Sequence, residues 1–185
     1  MSILNGMGYM SFSSVNGLRR QTGFTLLELL VTLAVAAVLV AIAVPSYRDM
    51  VERNAMAAST NDLVGSLNYA RSEAVTRGRE TYVCPTQDKQ TCTGQGRWTE
   101  GWIVYAPDPG SDIPTGENLL QVHGSVRDQL SIEGASELVF DANGFTTNYS
   151  NLRLESPESN ETRLICIARS GRIESHANIA RCSDA

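Results

Sequence analysis

The 185-residue sequence predicts an α+β chain, in which a long N-terminal helix is followed by an all-β module. Three observations carry that prediction. From Phe24 to Val44 the chain is rich in Leu, Val and Ala, with only Thr25, Glu28 and Thr32 as polar interruptions. From Ser46 to about Arg77, Leu63, Leu67, Ala70 and Ala74 recur at helical spacing while Asp62, Arg71, Glu73 and Arg77 lie off that stripe. After Gly78 the pattern breaks into short β-rich pieces punctuated by turn residues.

The first run, at 1.5 Å rise per residue, is long enough to cross a bilayer core of roughly 30 Å. It contains one carboxylate, Glu28, and a charge inside such a helix costs a few kcal/mol, so it demands a partner. A cut between Gly23 and Phe24 would create one, because the new α-amino group would lie one helical turn before Glu28, on its own chain or a neighbour's. Arg19 and Arg20 precede the cut and are expected on the cytoplasmic side. An ordinary secretory signal fits poorly: its apolar region is shorter and its small-residue cleavage site follows that region, as Ala41-Ile42-Ala43 could imitate, but this leaves Gly23, Phe24 and Glu28 without a role. Pro45 removes one backbone donor and is expected to kink or loosen the helix without ending it.

The amphipathic half follows, its stripe read as a face packed on a globular core, with Gly78 as the stop. Strands are expected at Thr81 to Cys84, Gly101 to Tyr105, Leu119 to Val122, Leu130 to Glu133, Leu138 to Phe140, Leu152 to Leu154, Arg163 to Ala168 and Arg172 to Ser175. Asn143-Gly144 and Ser170-Gly171 accept positive φ and mark turns, the second joining two strands into a hairpin. Pro107, Pro109, Gly110, Pro114 and Gly116 make Ala106 to Gly116 an exposed loop. Trp98 and Trp102 flank a turn and are read as core.

Composition narrows the function. The formal charge is −5, and loss of residues 1–23, which hold two arginines and no acid, takes it to −7. Such a balance disfavours an extended nucleic-acid surface, since phosphate binding draws its affinity from clustered cations. Cys84, Cys92, Cys166 and Cys182 all follow the apolar run, where an extracytoplasmic location permits disulfides. Four cysteines allow three pairings, of which the two local ones, Cys84 with Cys92 and Cys166 with Cys182, are preferred. No spacing gives the close pairs of a structural zinc site, and His123 and His176 are isolated and read as surface residues, so no metal or cofactor is expected. No nucleophile has a base placed beside it, and an enzyme is not expected.

The segment Gly23-Phe24-Thr25-Leu26-Leu27-Glu28 behind a short basic leader resembles the class III signal of type IV prepilins. That resemblance implies a prepilin peptidase that cleaves after Gly23 and methylates the Phe24 amine, pairing of Glu28 with a neighbouring subunit's N-terminus, and a helix proline at Pro45. Beyond it, Leu67 to Arg77 with its Ala70-Arg71-Ser72-Glu73-Ala74 core, Trp98 to Tyr105, Phe140 to Gly144, and Leu164-Ile165-Cys166 leading to Gly171-Arg172 resemble the GspH/FimT group of pseudopilins and minor pilins. The group implies a pilin-like fold, the long helix packed on a C-terminal β-sandwich-like domain. The expected division is a leader at 1–23, a transmembrane or filament-core helix at 24–44, an amphipathic half at 45–78 and a periplasmic β-rich domain at 79–185.

Implied partners are the prepilin peptidase, other minor pilins and the major pilin, the inner-membrane assembly platform and the lipid bilayer. The implied role is a minor subunit at or near the tip of a type IV pilus, with a type II secretion pseudopilin as the alternative. Some members of the group bind DNA through a basic segment after the C-terminal Gly-Arg. Here Arg172 is followed by Glu174, leaving Arg169, Arg172 and Arg181 as weak contacts. Arg71 and Arg77 are expected on a solvated helix face, with pairing of either to acids elsewhere in the chain as the alternative. Met7 and Met10 are alternative starts, the latter leaving a compact basic leader.

Overall fold

The computed structural model describes residues 23–108, 118–126, 130–157 and 161–182. Arg19, Arg20, Met7 and Met10 lie outside these residues, as does 109–116 of the expected loop. The chain divides into two compact units, Met1–Ile42 and Ala43–Ala185.

Helix α1 spans Leu26–Arg77. Its start is chemically defined: the Thr25 hydroxyl accepts the Glu28 N–H at 3.2 Å, and the Thr25 carbonyl accepts the Leu29 N–H at 3.2 Å. Thr25 is thus the N-cap and Glu28 stands at the third helical position, the spacing of a capping box. A carboxylate in this first turn also faces the positive end of the helix dipole. In the first unit every described residue is exposed, although the helix reaches a mean hydropathy of 2.7 over 18 residues. An apolar surface of this extent is stable only against lipid or other apolar helices. Pro45 sits inside α1, which is helical on both sides of it.

In the second unit α1 ends as its sequence directs. Gly78 adopts φ +64°, and the Arg79 N–H reaches back to the Ala74 carbonyl at 3.2 Å, the six-to-one bond that closes a helix terminus through a left-handed glycine. Among the described residues eight strands follow: β1 (Thr81–Pro85), β2 (Trp102–Tyr105), β3 (Leu119–His123), β4 (Ser131–Gly134), β5 (Leu138–Phe140), β6 (Ser150–Glu155), β7 (Thr162–Ile167) and β8 (Ile173–Ala177). Each lies where alternation and turn residues predict it, with ends moved by no more than two residues. They form two antiparallel sheets of order β3-β2-β1-β5 and β4-β6-β7-β8.

One core joins the helix to both sheets. Met56, Leu63, Leu67, Ala70 and Ala74 of α1 are fully buried with Val83, Trp102, Val104, Leu138 and Phe140 of the first sheet and Ile132, Leu152, Leu154 and Ile165 of the second. Trp102 is anchored at its polar edge, its indole N–H donating to the Ser66 hydroxyl of α1 at 2.9 Å, and Trp98 likewise donates to the Ala135 carbonyl at 2.8 Å.

The outward faces are not left bare, and here the cysteines matter. Cys84 bonds Cys92 and Cys166 bonds Cys182, each with Cα atoms 5.6 Å apart. The first lies in a small second cluster with Ile103 and Tyr105, where Tyr82 stacks on Tyr105 at 5.1 Å, so β2 is buried on both sides. The second ties residues after β8 back to β7. Asn178 turns with φ +57° and its N–H donates to the Thr162 carbonyl at 3.0 Å, while Cys182 reaches Cys166. Four residues of tail therefore cover four residues of strand, close to the reach of an extended chain.

Within the Cys84–Cys92 loop, Asp88 organises the backbone. Its carboxylate accepts from the Thr91 hydroxyl (2.7 Å), the Thr91 N–H (2.7 Å), the Gln90 N–H (2.8 Å) and the Thr86 hydroxyl (3.1 Å). These bonds, that from the Thr91 hydroxyl foremost, hold its pKa well below the usual carboxylate range. A depressed folded-state pKa stabilises the loop fully above the unfolded value near 3.8, and the gain is lost as pH falls through the folded value. A carbon-detected NMR titration should therefore find the Asp88 carboxyl ionised at pH values where a model Asp is already protonated. An inflection near the model value would remove the network as the cause of the loop's order.

Candidate functional site

Two regions concentrate the sequence-predicted residues. At the N-terminus, Gly23 and Phe24 precede the cap as non-helical backbone, and Phe24 is 82% exposed. By composition alone Thr25 is only a polar interruption of the apolar run. Its role was legible in the Thr-x-x-Glu spacing, which sets Glu28 in the first turn. Phe24 lies two residues before the first helical residue, Leu26, on the same helix end as Glu28.

The second region lies in the β domain, and it overturns one expectation. Arg71 does not sit on a solvated helix face. Its Nε donates to the Gly144 carbonyl at 3.0 Å and its Nη2 to the Ser170 carbonyl at 3.2 Å, so one guanidinium clasps two turns far apart in sequence. Each turn is built to be clasped. Asp141 accepts the Asn143 and Phe145 N–H groups at 2.8 and 3.0 Å, curling the first turn so that Gly144 takes φ +77°. In the second, the Gly171 N–H donates to the Ala168 carbonyl at 2.8 Å and Gly171 takes φ +73°. The turns touch: a Cβ on Gly171 would stand 1.9 Å from the Gly144 oxygen. Arg77, by contrast, stays exposed and pairs with Glu73 one turn earlier at 2.7 Å.

The histidines are also less isolated than their sequence positions suggest. His123 lies opposite Trp102 in the β2–β3 register and stacks on it at 3.9 Å and 3°. Its Nε2 is 3.5 Å from an Asp62 oxygen of α1. His176 is partly buried, 3.7 Å from Glu174. No group of three or more His, Cys, Asp or Glu side chains able to hold a metal ion occurs among the described residues. The three arginines considered for DNA are differently placed. Arg169 lies over the Tyr149 ring at 4.5 Å, Arg172 is 3.3 Å from Glu174, and Arg181 is exposed.

A family model described as "Type II transport protein GspH" matches residues 59–171, and another described as "Prokaryotic N-terminal methylation motif" matches residues 18–44. Among curated proteins, a fimbrial protein of Pseudomonas aeruginosa is 35% identical over 63 residues, covering 34% of this chain and 40% of that protein. The type IV major fimbrial protein FimA of Dichelobacter nodosus is 28% identical over 111 residues, covering 51% of this chain and 70% of that protein. The chain thus spans about 40% of the length of the first of these relatives. Among solved structures, the type IV minor pilin FimU of P. aeruginosa superposes with a TM-score of 0.52 at 26% identity, over 68% of this chain and 90% of FimU. The minor pseudopilin EpsH from the type 2 secretion system of Vibrio cholerae gives 0.50 at 14% identity, over 65% and 94%, a likeness of fold alone.

The family match runs from the buried helix face to Gly171 and so takes in Arg71, Gly144 and Gly171, the three positions that meet at the junction; behind its methylation motif, the chain belongs to the GspH/FimT family of type IV minor pilins and pseudopilins.

Proposed function

We propose that this chain is a minor subunit of a type IV pilus, processed after Gly23, held in the inner membrane through residues 24–44 and built into the filament at or near its tip, where it promotes assembly. In this reading residues 1–23 are the leader, 45–78 the amphipathic half of the helix and 79–185 the periplasmic domain. The observation that carries it is the likeness to FimU, which reaches 26% identity over 90% of that minor pilin. The exposed apolar helix supplies the driving force for insertion and then for packing against other subunits. Prepilin peptidase, other minor pilins, the major pilin and the assembly platform are the partners this role requires.

The same chemistry serves a type II secretion pseudopilin, and the family description favours that second reading. A deletion strain separates them. Loss of twitching and surface pili with normal exoprotein release is expected; retained exoproteins with intact pili would establish the secretion role instead. DNA uptake finds less support, since Arg172 faces Glu174 and Arg169 is engaged with Tyr149, which leaves no cluster of free cations at this end of the domain among the described residues.

A further inference from the structure

A cavity of about 520 Å³ opens on the outward face of the second sheet, in the size range of small-molecule sites. Its floor is a row fixed by strand register: Asn151 of β6 lies opposite Cys166 of β7, which lies opposite Glu174 of β8. Leu152 and Ile165 of the neighbouring row are in the core, so alternation turns Asn151, Cys166 and Glu174 outward together. Two residues earlier on the same faces stand Tyr149 and Arg172, and Cys182, tied to Cys166, closes the remaining side. The site rests on sheet and disulfide rather than on a loose loop.

From this lining we infer that the cavity binds a neutral saccharide. Arg172 offers only donors, Glu174 only acceptors and Asn151 both. Hydroxyl groups, each donor and acceptor, satisfy all three. Arg172 and Glu174 lie 3.3 Å apart and cancel, so the lining does not call for a net charge in the ligand. A phosphate or nucleotide backbone, acceptor only, would set its charge against Glu174. The Tyr149 ring is steadied by Arg169 at 4.5 Å yet remains 59% exposed, and with the disulfide it offers an apolar surface for the C–H face of a sugar ring. This inference is independent of which filament the chain joins.

The test uses the full chain in a sugar-free detergent and a panel of neutral disaccharides ending in galactose, glucose or N-acetylglucosamine, read by saturation-transfer NMR and titration. At least one disaccharide should bind with a Kd of about 1 mM or tighter. Arg172→Ala and Asn151→Ala should each weaken it roughly tenfold or more. Arg153→Ala, further along the same strand, should leave it unchanged and shows that surface truncation alone does not act. Absence of saccharide binding, binding that survives both cavity variants, or occupation of the cavity by an oligonucleotide or peptide in place of every disaccharide would each overturn the assignment.

Discussion

Gly171→Ala should unfold the β domain more readily than Gly78→Ala, although both glycines adopt a left-handed backbone. Two costs add. An alanine at φ +73° costs about 1–2 kcal/mol in backbone strain, and its Cβ would stand 1.9 Å from the Gly144 carbonyl oxygen and 2.8 Å from the Arg71 Nε. The oxygen is backbone, so the turns must separate and the Arg71 bonds must stretch, an overpacking cost of roughly 1–3 kcal/mol. Together about 2–5 kcal/mol is expected, a large part of the stability of a domain this size. Gly78→Ala supplies the control. It has φ +64° and nothing within 4 Å, so only the strain remains. Urea unfolding of the two variants in detergent, followed by tryptophan fluorescence through buried Trp98 and Trp102, reads the difference directly. Equal midpoints would mean that the contact between the turns relaxes freely and that the junction does not restrain the fold. Arg71→Ala should cost about 1.5–3 kcal/mol by the loss of charge-assisted bonds to two carbonyls.

Glu28→Ala should leave the protein processed and membrane-bound while reducing its amount in sheared filaments by tenfold or more. Glu28 stands in the first turn of α1, its backbone N–H held by the Thr25 cap, where apolar neighbours would surround its carboxylate in a bundle of such helices. An unpaired charge costs about 2.5–3.5 kcal/mol at the middle of an apolar helix and less toward its end, so in the proposed role an axial register that brings an α-amine to Glu28 is favoured. Alanine removes the penalty for wrong registers as well as the reward for the right one. A change of 1.4 kcal/mol is already tenfold in occupancy. Glu28→Gln, which keeps shape and hydrogen bonding but not charge, should behave like alanine if the ion pair is the cause. Wild-type incorporation of both variants, measured by immunoblot of purified filaments, would refute the pairing role.

The helix, its cap, its stop and all eight strands follow from local rules. Apolar periodicity, a Thr-x-x-Glu start, a left-handed glycine at the end and alternation between turns act over a few residues, and those interactions stand in the order of the chain. Trp98 and Trp102 were legible as core for the same reason, since their apolar area far outweighs the single N–H each must satisfy. Arg71 was not legible. Its partners are carbonyls at positions 144 and 170, and a backbone carbonyl carries no residue identity for a sequence pattern to display. His123 escaped likewise, because its stacking on Trp102 depends on the register of β2 with β3. By itself the sequence determined which segments become helix and strand, and it set Gly23, Phe24 and Glu28 at the start of a helix long and apolar enough to cross a membrane. The tertiary structure alone decided that a helix arginine joins two distant turns and that the tail closes a cavity over one sheet, because both depend on which surfaces meet after the strands have paired.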